Sequence, residues 1–358
     1  MSRAPLRIAI IGCGNIAEPY ARNLVTFPQL QLVGYTDLDL SRAEALAAKY
    51  GGVVYPDPAA LLADPAIDLV VNLTVHHAHY AVNKAILEAG KHAVSEKPLS
   101  LTYAEARELV ELAEAKGLRL GGTPFTFLGE AQQTAMKLVR DGRLGLVRLA
   151  YAEVNWGRIE TWHPAPAPFY AVGPLFDVGV YPLMLLTAMF GPARRVSAFG
   201  RTLMPERRTK SGEPFTVGAP DFGVSMIEFD GGTIARLTTN FYVRNDATNQ
   251  TGLELHGDLG SLRLSAWDRF NAQVSFVPFG GAPEEVPLLK EPFEGIQWGR
   301  NVAELADAIA EGRPHRATGE HAAHVVEILG AAAESMETGR PVELRSSFTA
   351  PEPMEWAR

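Results

Sequence analysis

Several groups of residues in this chain of 358 have types and spacings that could do chemistry. The first is Gly12-Cys13-Gly14-Asn15-Ile16-Ala17, which ends a short apolar run and opens a helix-compatible one. In that setting Gly12 permits a tight turn, Gly14 lets the backbone approach a pyrophosphate, and Ala17 still allows close helix packing. The helix N-terminus then faces the phosphate charge, so Gly12, Gly14, Asn15 and Ile16 are candidate cofactor contacts. Asp37 closes the next apolar run, about 20 residues further on, where a carboxylate accepts hydrogen bonds from both ribose hydroxyls. Leu38 follows it, and no Lys or Arg adjoins Asp37 to neutralise a 2′-phosphate, with Arg42 the nearest cation. NAD is therefore favoured over NADP.

Two further groups follow apolar segments. Thr74-Val75-His76-His77-Ala78-His79 stands just past Leu69 to Leu73, and Glu96-Lys97-Pro98 just past His92 to Ser95. Open α/β sheets bind ligands at the carboxyl ends of their strands, which makes Thr74, His76, His79, Glu96 and Lys97 candidates for the cofactor edge. Lys97 could also hydrogen-bond a hydroxyl undergoing oxidation. The three histidines lack a nearby carboxylate or thiol to complete a ligand set, so no metal is expected there. Later, Asp177 and Tyr181 lie four apart before the apolar stretch Leu183 to Phe190. A helix begun by Asp177 would present both from one face, with Pro182 a possible kink. A carboxylate and a phenol so placed could flank one substrate carbon. Trp156, Arg158, Trp162, His163 and Tyr170 crowd the proline-interrupted stretch before them. Aromatic faces with a few polar groups suit a sugar or polyol, and Trp162, His163 and Tyr170 are the candidate substrate contacts.

These residues need elements to carry them. Apolar strand-like runs at Leu6 to Ile11, Leu30 to Tyr35, Leu69 to Leu73 and His92 to Ser95 alternate with helical stretches at Ala17 to Val25, Ser41 to Tyr50, Tyr80 to Ala89 and Thr102 to Lys116. Thr102 and Glu105 form a capping box. The alternation predicts an α/β, doubly wound parallel Rossmann sheet over residues 1–123. A helix at about Ala131 to Asp141 opens a different pattern. Phe222 to Phe229 meets Thr233 to Asn240 across Asp230-Gly231-Gly232, and Leu253 to His256 meets Ser261 to Ser265 across Gly257 to Gly260, as hairpins do. Residues 124–345 therefore read as an α+β domain with a large, mainly antiparallel open sheet for substrate binding and oligomerisation. It includes a long arm at 203–221 and two closing helices in 301–338, and 346–358 is a C-terminal tail.

Composition excludes other classes. Net charge is −8 with pI near 5.7, and no basic stripe offers a nucleic-acid footprint. The early apolar run is too short for a signal or membrane span, so a cytoplasmic location and no membrane partner are expected. A single cysteine, Cys13, excludes an intrachain disulfide. One face of an open sheet would be left half exposed in a monomer, which predicts a homodimer or homotetramer formed through that face.

Taken together, the glycine loop, Glu96-Lys97-Pro98 and Asp177-x-Gly-x-Tyr181 resemble, in order and spacing, the Gfo/Idh/MocA oxidoreductases from about Leu6 to Leu344. The resemblance implies that Lys97 and Asp177 occupy the family's catalytic lysine and aspartate positions, and that His79 ends its Thr-Pro-x-x-x-His loop. Val75 replaces the usual proline. Tyr181 stands where many members carry a proton-moving histidine, which is similar to the tyrosine-containing branch of glucose-fructose oxidoreductase, dihydrodiol and xylose dehydrogenases. The Gly122-Thr123-Pro124-Phe125 stretch departs from the common family sequence. The expected function is hydride transfer between NAD(H) and a hydroxyl carbon of a sugar, polyol or related compound, with Lys97, Asp177 and Tyr181 at the reacting centre. The alternatives are a redox-neutral NAD-dependent epimerase or glycosidase-type enzyme, and a non-catalytic NAD-binding regulator. Retention of Lys97, Asp177 and Tyr181 argues against the regulator.

Overall fold

A computed structural model describes residues 4–244 and 251–358. The chain divides into two units. One runs to Phe125 and takes back Gln297–Val326, and the other holds Thr126–Ile296 and Glu327–Arg358. The sequence suggests contiguous segments 1–123, 124–345 and 346–358, without this returning stretch. Ala322, Ala323 and Val326 belong to the same buried cluster as Leu109 and Leu120. The Gly122 N–H donates to the Ala317 carbonyl at 3.0 Å, and a Cβ on Gly122 would lie 2.3 Å from that of Ala322. Only a glycine at 122 lets the returning helix seat this closely.

The first unit is built on a six-stranded sheet, order β3-β2-β1-β4-β5-β6, with every pairing parallel. Its elements are β1 (Leu6–Ile11), α1 (Ala17–Leu24), β2 (Leu30–Thr36), α2 (Leu40–Tyr50), β3 (Val53–Val54), α3 (Pro58–Ala63), β4 (Leu69–Asn72), α4 (His79–Glu88), β5 (His92–Ser95), α5 (Tyr103–Ala115) and β6 (Leu120–Gly122). All four β4 residues are buried, as are Ile8 to Ile11 of β1. Central parallel strands need side chains that bury on both faces, so they read as solid apolar runs. The capping box forms at α5, where Thr102 Oγ1 accepts from the Glu105 N–H and Glu105 Oε2 from the Thr102 N–H.

The second unit carries α6 (Glu130–Arg140), β7 (Val147–Asn155), α7 (Ala167–Pro174), α8 (Val180–Phe190), β8 (Ala193–Arg201), β9 (Glu206–Arg208), β10 (Pro214–Thr216), β11 (Phe222–Phe229), β12 (Ile234–Asn240), β13 (Leu253–Gly257), β14 (Gly260–Leu264), β15 (Val274–Pro278) and β16 (Glu284–Val286). Beyond these come α9 (Arg300–Glu311), within the first unit, α10 (Gly319–Thr338), which the two units share, and β17 (Val342–Glu343). The nine-stranded sheet has the order β16-β15-β14-β13-β7-β12-β11-β8-β17. β7 and β12 pair in parallel and the other neighbours are antiparallel. Both anticipated hairpins form, and the 203–221 arm contains the small hairpin β9-β10. Burial alternates along β7 and β11, so one sheet face is covered and the other is not. Phe199 is 59% exposed, with Met226, Ile234 and Val277 partly exposed. The tail is docked: the Met354 N–H donates to Gln133 Oε1 at 3.1 Å, and Arg140 Nη2 donates to the Ala357 carbonyl.

Among the described residues, Ala167–Phe190 is long and apolar enough to cross a membrane by length and composition, but 72% of that window is buried within the protein. Gly173, at φ 75° inside α7, and a π turn over Leu175–Gly179 interrupt its winding.

Candidate active site

The glycine loop has the geometry a dinucleotide needs. Gly12 has φ +95°, and a Cβ there would meet the Leu73 carbonyl carbon at 2.7 Å, so both the turn and the approach to β4 require glycine. A Cβ on Gly14 would meet nothing within 4 Å, which leaves open space beside the backbone where a pyrophosphate would lie. Ile16, the N-cap of α1, supplies no side-chain hydrogen bond, and the positive end of the helix dipole there favours an anion. The residues present therefore fit the cofactor. Asp37 Oδ2 accepts from the Cys13 N–H at 2.5 Å and Oδ1 from the Asp39 N–H at 2.8 Å, which ties the acidic residue to the loop. Each oxygen retains lone-pair capacity for a ribose hydroxyl. Arg42 is held by Asp39 at 3.3 Å. Burial, with the Asp37 charge second, pushes the Cys13 thiol up to about 12, so it is no nucleophile.

Under the carboxyl ends of β4 and β5 lies a chain of buried polar groups. Thr74 Oγ1 donates to Asn72 Oδ1 (2.7 Å), Asn72 Nδ2 to Asn83 Oδ1 (2.9 Å), Asn83 Nδ2 to Ser95 Oγ (2.8 Å), and Ser95 Oγ to the Glu96 carbonyl (3.0 Å). Half-buried Lys97 stands at the end of this chain. His79 has Nδ1 2.7 Å from the Pro98 carbonyl and Nε2 3.0 Å from the Thr74 carbonyl. Burial lowers its pKa below the ordinary imidazole range. A neutral ring donates to only one of the two carbonyls. His79 is buried, and its single ring N–H ties it to one of these two main-chain oxygens, on Pro98 or on Thr74. Glu96 is also buried, with its carboxylate on Tyr20 and the Lys97 N–H. His76 is half buried, its ring edge-on to His79 at 6.0 Å.

In the second unit the π turn Leu175–Gly179 carries buried Asp177, and half-buried Tyr181 lies in the first turn of α8. Pro182 falls in that same turn, where a missing N–H is tolerated, so α8 runs on unbroken. The Tyr181 ring lies 5.5 Å from that of Trp267, which stacks on Trp156 at 6.4 Å. Trp267 is buried and its Nε1 donates to the Glu153 carbonyl at 2.9 Å. Beside it Asp268 is buried, and desolvation raises its pKa.

Trp162, 41% exposed, His163 and Phe169 form an aromatic cluster, with the His163 and Phe169 rings 4.8 Å apart. Tyr170 is placed otherwise than the sequence suggests. It is fully buried, and its hydroxyl donates to Glu160 Oε2 at 2.5 Å and accepts from Arg207 Nη1 at 2.9 Å. Arg207 also reaches Glu160 Oε1 (2.9 Å) and Asp221 Oδ2 (2.5 Å), with its own side chain and that of Asp221 fully buried. This ionic knot pins the 203–221 arm to the segment before Asp177, and Tyr170 serves the knot. Sequence reasoning missed Trp267, Arg207 and Tyr20. For Tyr20 a signal existed: a tyrosine on the inward face of α1 must find a partner for its hydroxyl.

A glycine loop on a parallel sheet, with an acidic residue at the end of β2, defines a dinucleotide-binding enzyme of the Rossmann class. A family model described as the oxidoreductase family with NAD-binding Rossmann fold, Gfo/Idh/MocA, matches residues 6–122, and the Gfo/Idh/MocA C-terminal domain matches 132–263. D-glucoside 3-dehydrogenase of Escherichia coli K12 is 32% identical over 67% of this chain and 72% of its own length. Trans-1,2-dihydrobenzene-1,2-diol dehydrogenase of Macaca fuscata fuscata is 29% identical over 63% of this chain and 65% of its own length. The fold is shared with an NAD-binding oxidoreductase from Klebsiella pneumoniae, at TM-score 0.83 and 23% identity over 96% of this chain and all of the other. The chain belongs to the Gfo/Idh/MocA family of NAD-binding oxidoreductases.

Proposed function

We propose that this chain is an NAD-dependent dehydrogenase acting on a secondary hydroxyl of a sugar, polyol or related compound. The observation that carries the reading is Lys97, set just past the carboxyl end of β5 with its main-chain N–H held by the buried Glu96 carboxylate, in a sheet whose glycine loop fits NAD. The activities in the names of D-glucoside 3-dehydrogenase and dihydrodiol dehydrogenase support the substrate class.

Bound NAD supplies the two-electron acceptor. Lys97 hydrogen-bonds the substrate hydroxyl, Tyr181 or Lys97 takes its proton as the carbon loses hydride, and Asp177 orients substrate or base. Trp267 sets the plane of the Tyr181 ring, and Trp162 with His163 offers an aromatic surface to the CH groups of the substrate. Thr74, His76 and the loop from Gly12 to Ile16 line the cofactor, with Asp37 on the ribose. The half-exposed sheet face, with Phe199 and Met226, is the proposed contact between subunits of a cytoplasmic homodimer or homotetramer.

Following NADH absorbance across a panel of sugars and polyols tests this reading, with turnover expected for at least one member. Tight NAD binding without NADH formation from any of them would overturn it in favour of redox-neutral chemistry or regulation. Lys97→Ala should abolish turnover while NAD still binds.

A further inference from the structure

Tyr20 takes no part in the chemistry above, yet it is built into the support of Lys97. It lies on α1, and its N–H closes the first turn of that helix on the Ile16 carbonyl at 3.2 Å. Its side chain is fully buried, and its hydroxyl donates to Glu96 Oε1 at 2.7 Å. The other oxygen of Glu96 accepts from the main-chain N–H of Lys97 at 3.1 Å. The Tyr20 ring packs on Trp298 at 5.5 Å, and Trp298 meets Phe125 edge-on at 6.1 Å. Gly299, at φ +84°, brings that segment down onto α1, where a Cβ would lie 2.6 Å from the Leu24 side chain. Tyr20 is thus held by its ring and bonded by its hydroxyl.

A buried carboxylate needs its donors, and a hydrogen bond to a charged group is among the stronger ones. Glu96 therefore has one orientation, set by the phenol, and in that orientation it fixes the backbone of Lys97. We propose that Tyr20 is a positioning residue for Lys97, coupling the seating of the cofactor's phosphates on the first turn of α1 to the alignment of the lysine. The proposal rests on the reading of Lys97 as the catalytic lysine.

Tyr20→Phe keeps the ring on Trp298 and removes only the hydroxyl. The expected result is a kcat lowered about tenfold, with NAD affinity and substrate KM within about twofold of wild type. Glu96→Gln and the double variant should lose activity equally, because both changes break one chain of contacts. Additive losses, or an unchanged kcat in Tyr20→Phe, overturn the proposal. A second readout needs no turnover: lysines methylated with carbon-13 give an NMR signal for Lys97, assigned by its loss in Lys97→Arg. NAD should shift that signal in the wild type and leave it nearly unmoved in Tyr20→Phe; an equal shift in both overturns the coupling. If no sugar or polyol is oxidised but the shift depends on Tyr20, the dehydrogenase reading fails and the coupling stands.

Discussion

The two units hold their chemistry-bearing residues by different means. In the first, Lys97 sits where a parallel strand ends, supported by a chain of amides and hydroxyls from the adjoining strands and α4 and by one carboxylate, Glu96, which α1 holds through Tyr20. In the second, Asp177 and Tyr181 ride on a helix that changes its winding, braced by stacked rings on one side and by an arm tied down with buried charges on the other. The difference teaches that strand ends in a βαβ sheet gather their neighbours in chain order, whereas the second unit must recruit partners from remote segments.

Charge against amide is the sharpest form of this comparison. Arg207→Ala would leave Asp221 and Glu160 as uncompensated carboxylates, at a cost of about 3 to 5 kcal/mol, which denaturant unfolding should show as a large fall in midpoint. A loss of under about 1 kcal/mol would mean that the arm is held by its backbone instead.

Acid should weaken the first unit through its buried histidines. Burial holds His321 down to about 3, and lowers His79, His92 and His315 too. Burial favours the neutral ring in the folded chain, while the unfolded one takes a proton near pH 6.5. The stability they contribute is therefore complete above that pH and declines as pH falls below it, for His321 down to about 3. For His321 this is about 2 kcal/mol at pH 5. Unfolding midpoints at pH 8 and pH 5 check the sign, and His321→Asn should flatten the decline.

Among smaller effects, Asn83→Ala breaks the amide chain at its middle and should cost about 1 to 3 kcal/mol, with a drop in kcat that exceeds any change in NAD affinity. Equal changes in both would show that the chain supports the cofactor loop as a whole rather than Lys97. Trp267→Leu removes an aromatic pair worth about 0.5 to 1.5 kcal/mol and should lower kcat up to about tenfold while NAD binding, measured by fluorescence titration, stays as it was.

Much of the first unit was legible from the chain. The runs at β1, β4 and β5, the loop from Gly12 to Ala17, Asp37 and the capping box at Thr102 are local patterns, and a strand-helix-strand unit is completed within a short stretch of sequence. The short elements β3 and α3 escaped because a two-residue strand has no period to read. Lys97 was placed correctly at a strand end, and its neighbours on that strand could be named. Three things were beyond the reach of any local pattern. The return of Gln297–Val326 to the first unit depends on Gly122 meeting Ala322. The pairing of β7 with β12 joins strands some eighty positions apart, and that sheet is what brings Trp267 to Tyr181. Tyr170, read from its neighbours as a substrate contact, is claimed by Arg207 from the arm. Sequence periodicity determines which face of an element is apolar; which partner covers that face, and which buried polar group satisfies which other, is decided only when distant segments compete for the same space.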